Sequence, residues 1–124
     1  MSRILVVEDD EAIRKMEERI LVEAGHQVDL CVDVAGARIR LAAPNLPDLV
    51  VLDLMMPGDS GLDLSREMRA DPRLEKIPVV VVTARTGAEA MRAGFDAGAT
   101  HYLSKPFTKQ KLLEIVELAL GESE

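Results

Sequence analysis

Three strongly apolar runs in this chain each end on a group that can do chemistry. Ile4-Leu5-Val6-Val7 leads into Glu8-Asp9-Asp10, Leu49-Val50-Val51-Leu52 into Asp53, and Val79-Val80-Val81-Val82 into Thr83. A weaker fourth run, Tyr102-Leu103, leads into Ser104-Lys105-Pro106. Runs this short and this uniformly apolar suit strands buried on both faces, as in a parallel sheet covered by helices. If the four lie side by side in one direction, their carboxyl ends share one rim. Carboxylates, a hydroxyl and an ammonium then meet in one place, a setting for a divalent cation and a phosphoryl group.

The segments between these runs read as helices and turns. Residues 10–24 predict a helix with Ile13, Met16, Ile20 and Ala24 on its inner face, Asp10 as N-cap and Gly25 as its stop. A strand is expected over 28–32, then a helix that Asp33 caps and that ends at Ala43, before Pro44. The third strand is expected over 48–52. Pro57-Gly58-Asp59-Ser60 reads as a loop, with Ser60 able to cap a helix through Arg69. Asp71-Pro72 breaks the chain before a strand over 79–82. A weaker helix is expected over 87–95, with Gly98 after it, then a last strand over 99–103. Thr108 can cap a final helix through Leu120, with Leu112, Leu113, Val116 and Leu120 facing inward. Five strands alternating with five helices predict an α/β fold: a five-stranded parallel sheet of order 2-1-3-4-5, flanked by five helices in the flavodoxin-like, doubly wound manner. Asp29 in the second strand and Thr100-His101 in the fifth suit the sheet edges.

A chain of 124 residues with 48% hydrophobic content can bury one core without staples, so a single domain over 1–124 is expected. No apolar run approaches the roughly 18 residues that span a bilayer. The N-terminus lacks a signal-peptide pattern, and the short acidic tail from Gly121 to Glu124 does not resemble a linker. Cys31 is the single cysteine, so no internal disulfide can form; a reducing, cytoplasmic setting and a small apolar role at a strand end are the simpler reading. A net charge of −7 disfavours nonspecific binding to nucleic acid or to anionic membrane.

At the common rim, Glu8, Asp9 and Asp53 would crowd together. Two carboxylates about 4 Å apart repel by roughly 4 kcal/mol at an effective dielectric near 20. Protonation or a cation must relieve that repulsion. Oxygen donors favour Mg²⁺ over zinc or copper, and His26, Cys31 and His101 are too scattered to form a nitrogen–sulfur site. Asp10 is better read as a helix cap than as a ligand. An aspartate such as Asp53 can attack phosphorus and form an aspartyl phosphate. Lys105 supplies a compact positive charge, and Thr83 a hydroxyl for a phosphoryl oxygen.

These pieces resemble the receiver domains of two-component response regulators (the CheY-like family), over essentially the whole chain. The matching stretches are Ile4 to Asp10, Val51-Leu52-Asp53-Leu54-Met55-Met56-Pro57-Gly58, Val82-Thr83-Ala84 and Tyr102-Leu103-Ser104-Lys105-Pro106-Phe107. The resemblance implies that Asp53 is the phosphoacceptor and that a sensor histidine kinase or histidine phosphotransfer protein supplies the phosphoryl group. It implies Mg²⁺ held by Asp9, Asp53 and the backbone carbonyl of Met55, with Glu8 acting mainly through water. It implies that Thr83 and Lys105 hold phosphoryl oxygens and that the Lys105-Pro106 peptide is cis. Thr83 and Tyr102 would form a switch that reshapes the face of the fourth helix, fifth strand and fifth helix for a downstream protein target.

Thr100-His101 stands where many DNA-linked relatives carry two acids, so a monomer or weak dimer without their charged interface is expected. Met55 and Arg85 lie where side chains control water access to the phosphate. The family reading makes the chain a signalling module that assists its own phosphorylation and dephosphorylation, not a turnover enzyme. Three rivals are weaker. A Mg²⁺ phosphohydrolase would want an acid at Met55, and a flavin carrier would not place Glu8 to Glu11 at a phosphate loop. A phosphorylation-independent scaffold would not need the intact set of Asp53, Thr83 and Lys105.

Overall fold

The computed structural model describes residues 2–53, 61–84 and 87–122. Strands and helices alternate along the chain: β1 (Arg3–Val7), α1 (Glu11–Glu23), β2 (Gln27–Cys31), α2 (Val34–Ala42), β3 (Leu49–Asp53), α3 (Gly61–Ala70), β4 (Val79–Thr83), α4 (Ala88–Asp96), β5 (His101–Ser104) and α5 (Lys109–Glu122). All pairings are parallel, in the order β2-β1-β3-β4-β5. The apolar runs explain that order. Every residue of β3 and β4 is buried, whereas β2 and β5 are only partly so and take the edges.

Strand alternation divides the core into two layers. Ile4, Val6, Leu49, Val51, Val80 and Val82 face α1 and α5, meeting Ile20, Leu21, Leu112 and Val116 there. Leu5, Val7, Val50, Leu52, Val79 and Val81 face the other way, onto Val34, Ala37 and Leu41 of α2 and Leu64 and Met68 of α3.

The predicted caps form. The Asp10 carboxylate accepts from Ile13 N–H at 2.9 Å, Asp33 from Gly36 N–H at 2.7 Å, and the Thr108 hydroxyl from Lys111 N–H at 3.1 Å. Gly25 and Gly98 both have a φ of 97°, a conformation that costs other residues, and they follow α1 and α4 where stops were expected.

The inner face of α1 differs from the sequence expectation. Met16 is 41% exposed and Ala24 is exposed, while Glu17, Ile20 and Leu21 are buried. The spacing from Ile13 to Ile20 accommodates either 16 or 17 between them, and side-chain chemistry favoured methionine. The last strand starts at His101 rather than 99, because Ala99 N–H donates back to the Gly94 carbonyl and so closes the end of α4. The second strand is 27–31, set by the pairing of Arg3 with Gln27. Cys31 is half-buried at its end, and burial raises its thiol pKa, which fits a packing role. The expected loop at 57–60, the cap at Ser60, and the roles of Met55 and Arg85 lie outside the described residues.

Candidate functional site

The carboxyl ends of the strands share one rim, and the expected groups stand on it. Asp53 is the last residue of β3 and Thr83 the last of β4. Asp53 pairs with Val82, so Thr83 is one step beyond Asp53's neighbour on the adjacent strand. Glu8 extends the β1 ladder by one bond, from its N–H to the Cys31 carbonyl at 3.0 Å. Lys105 follows β5, and its N–H donates to the Thr83 carbonyl at 2.8 Å. The Lys105-Pro106 peptide is cis, as the resemblance implied.

The Lys105 ammonium joins the two buried acids. Nζ donates to Glu8 Oε1 at 2.9 Å and to Asp53 Oδ2 at 3.0 Å. Burial by itself lowers the Lys105 pKa, but the hydrogen bonds to Glu8 and Asp53 outweigh it and hold it above the ordinary lysine value. Burial pushes the Glu8 carboxyl up to about 7, with Asp53 acting the same way and the Lys105 bond opposing. Asp10 N–H also donates to Glu8 Oε2, at 3.2 Å. Asp9 is exposed, yet a carboxylate oxygen from each of Glu8, Asp9 and Asp53 lies within 4.8 Å of the others. Three carboxylates this close, one open to solvent, suit a hard divalent cation that keeps part of its water shell. Magnesium fits that description; imidazole and thiolate ligands are absent from the group.

Two residues without a motif of their own bear on the cluster, one by hydrogen bonds and one by charge. Arg14 Nη1 donates to the carbonyls of Glu8 and Asp9, at 3.1 and 3.2 Å, and so ties the acidic turn to α1. Its position one turn after the Asp10 cap was the only available signal. Glu17 is 1% exposed, and among the described residues neither of its carboxylate oxygens has a hydrogen-bond partner. Burial raises its pKa to about 8, with Glu8 and Asp53 adding to the shift and Lys105 opposing it.

Tyr102 is half-buried on the other face of β5. Its ring lies 6.4 Å from that of Phe95 and covers Gly94, where an added Cβ would come within 3.3 Å of Tyr102 Cδ2 and Cε2.

Residues 4–117 match the family described as the response regulator receiver domain. The chain belongs to the response regulator receiver domains. A response regulator named MprA from Mycobacterium sp. (strain KMS) is 45% identical over 111 residues, covering 90% of this chain and 47% of that protein. The MprA of Mycobacterium ulcerans is 42% identical over the same length. The chain therefore spans about half the length of the curated relatives it matches. Among solved structures, a putative response regulator from Chloroflexus aurantiacus is 34% identical with a TM-score of 0.91, covering 97% of this chain and 98% of that one. The chemotaxis response regulator CheY4 of Vibrio cholerae is 28% identical with a TM-score of 0.89, covering 96% and 98%. Receiver domains work in two-component signalling with sensor kinases and bind Mg²⁺, and the acidic cluster of this receiver is placed to hold such an ion. Among the described residues, no helix is long and apolar enough to cross a membrane.

Proposed function

We propose that this receiver takes a phosphoryl group on Asp53 from a phosphohistidine, in a Mg²⁺-dependent reaction. The observation that carries the reading is the Lys105 ammonium bound to both Asp53 and Glu8, with Asp9 beside them. A carboxylate oxygen of Asp53 attacks phosphorus; the new P–O bond forms as the P–N bond to the donor imidazole breaks, with the electron pair leaving on nitrogen. Glu8, Asp9 and Asp53 would hold the metal, which screens the negative charges that must approach one another. The Lys105 ammonium neutralises the nucleophile's surroundings at rest and is within reach of a phosphoryl oxygen afterwards. The Thr83 hydroxyl, next along the rim, serves a second oxygen.

The same groups suggest how the signal leaves. Thr83, drawn toward the phosphate, opens room beside Tyr102, and the ring turns inward from its place against Phe95 and Gly94. The α4-β5-α5 face changes shape and a downstream protein partner reads it. The chain acts as a cytoplasmic signalling module, assisting its own phosphorylation and dephosphorylation without turning over an external substrate. Incubation with acetyl phosphate and Mg²⁺, followed by intact-mass measurement, tests the central step. Wild type should gain one phosphate and Asp53→Ala none; equal gain in both would overturn the assignment.

A further inference from the structure

Glu17 is out of place in its layer. It shares the buried face of α1 with Ile20 and Leu21, which pack on the apolar side of the sheet. On that same sheet face, strand alternation carries Ile4 and Val6 on to Glu8, and Leu49 and Val51 on to Asp53. Glu17 therefore sits where the apolar layer between sheet and helix gives way to the acidic rim. Its oxygens are shielded from solvent and, among the described residues, meet no donor. A buried carboxylate without a partner is so costly that the group stays neutral instead.

The charges that act on it come from the rim. The charges of Glu8, at the end of β1, and Asp53, at the end of β3, disfavour its ionisation, and that of Lys105, after β5, opposes them. From α5, Glu117 is taken by His26 Nε2 at 2.9 Å, and Lys109 lies 4.0 Å from Glu23. On β2, Asp29 is paired with Arg40, 2.7 Å away. On α1 itself, Arg14 is committed to the carbonyls of Glu8 and Asp9. No described cation is hydrogen-bonded to Glu17, so the net charge of the rim decides whether it can ionise.

We propose that Glu17 is a proton-linked partner of the acidic cluster, holding its proton while the cluster is empty and releasing it when Glu8, Asp9 and Asp53 take up a divalent cation. The inference rests on that cluster being a cation site. The Glu17 O–H bond breaks, its electron pair stays on the carboxylate, and the proton passes to solvent through local opening of the helix. The new negative charge then lies in a low-dielectric layer beneath the cation, where screening is weak, and strengthens its binding. Glu17 is a positioning residue in this scheme, because it acts on the ion without touching it.

The test is Mg²⁺ binding to the whole chain, followed by calorimetry from pH 6.5 to 8.5 in buffers of different ionisation enthalpy. Wild type should release up to one more proton per ion than Glu17→Gln. Its affinity should also rise with pH more steeply than the variant's, by an extra factor of up to tenfold per unit. Glu17→Leu, which removes the polar group altogether, should behave like Glu17→Gln and guards against a folding defect in either. Equal proton release and equal slopes in all three proteins would overturn the role of Glu17 while leaving the cluster as a cation site. Absence of Mg²⁺ binding in every protein would overturn both.

Discussion

The two faces of the sheet are made from the same strands and finish differently. Toward α1 and α5, the apolar layer ends in Glu8 and Asp53, with Lys105 joining them and Glu17 sealed beneath. Toward α2 and α3, the buried polar groups among the described residues are hydroxyls, Ser65 of α3 and Thr83 at the end of β4, and the layer ends beside Tyr102, on which α4 rests through Gly94 and Phe95. Of the nine residues in α4, only Gly94 is buried. One face concentrates charge under two well-anchored helices; the other puts an aromatic ring under a lightly held one. Fixed geometry suits the groups that bind a cation and a phosphoryl group, and weak anchoring suits the element that must move in response.

The sharpest way to break this contrast is to truncate one residue on each side. Leu112 of α5 is 0% exposed, so Leu112→Ala should cost roughly 3–4 kcal/mol in urea unfolding. Met91 of α4 is 41% exposed, and Met91→Ala should cost under about 1 kcal/mol. Similar losses would mean that α4 is held as firmly as α5.

Glu17 sharpens the comparison from the charged side. Its carboxyl is raised from 4.5 to about 8 on folding, so the folded state keeps a proton that the unfolded chain has already lost. The associated stability is complete below the unfolded value and is lost as pH rises through the folded one. Without divalent cation, wild type should lose roughly 3 kcal/mol between pH 5.5 and 8.5 relative to Glu17→Leu, at about 1.4 kcal/mol per unit. Parallel pH profiles in urea melts would show that Glu17 is already stabilised by a charge.

Lys105 addresses the rim itself. Lys105→Met leaves Glu8 and Asp53 together without their shared ammonium. Sharing a proton between the two acids recovers part of the loss, so the cost should be about 2 kcal/mol at pH 7.5. Millimolar Mg²⁺ should then raise the melting temperature of the variant more than that of wild type. A variant as stable as wild type and indifferent to Mg²⁺ would remove Lys105 from the electrostatics of the rim.

What the sequence disclosed follows the same division. Central strands were legible because a strand buried on both faces has no polar position to confuse the reading, as Val79 to Val82 illustrates. Caps were legible because Asp10, Asp33 and Thr108 each sit one residue before a helix and bond to its first turn. The rim was legible because polar residues end apolar runs, and a parallel sheet brings those ends together. Glu17 was not, since a charged residue between two isoleucines on a helix reads as solvent-facing by chemistry and inward-facing only by angle. Arg14 was missed for a related reason: it acts through backbone carbonyls, and its partners have no side-chain signature.

The smallest effect tests the uncharged face. An alanine at Gly94 would gain helix propensity, roughly 0.8 kcal/mol in an exposed helix interior. Its Cβ would meet the Tyr102 ring at 3.3 Å, closer than ordinary contact, so something must yield by a few tenths of an ångström. The ring is half-buried and Phe95 beside it is 44% exposed, so the pair can shift toward solvent. Gly94→Ala should therefore raise stability slightly, by about 0.5 kcal/mol, while changing the ring signals of Tyr102 in NMR spectra. A loss above about 1 kcal/mol would mean the ring is wedged too firmly to turn. That result would place rigid packing on both faces and leave α4 without the freedom that a moving element needs.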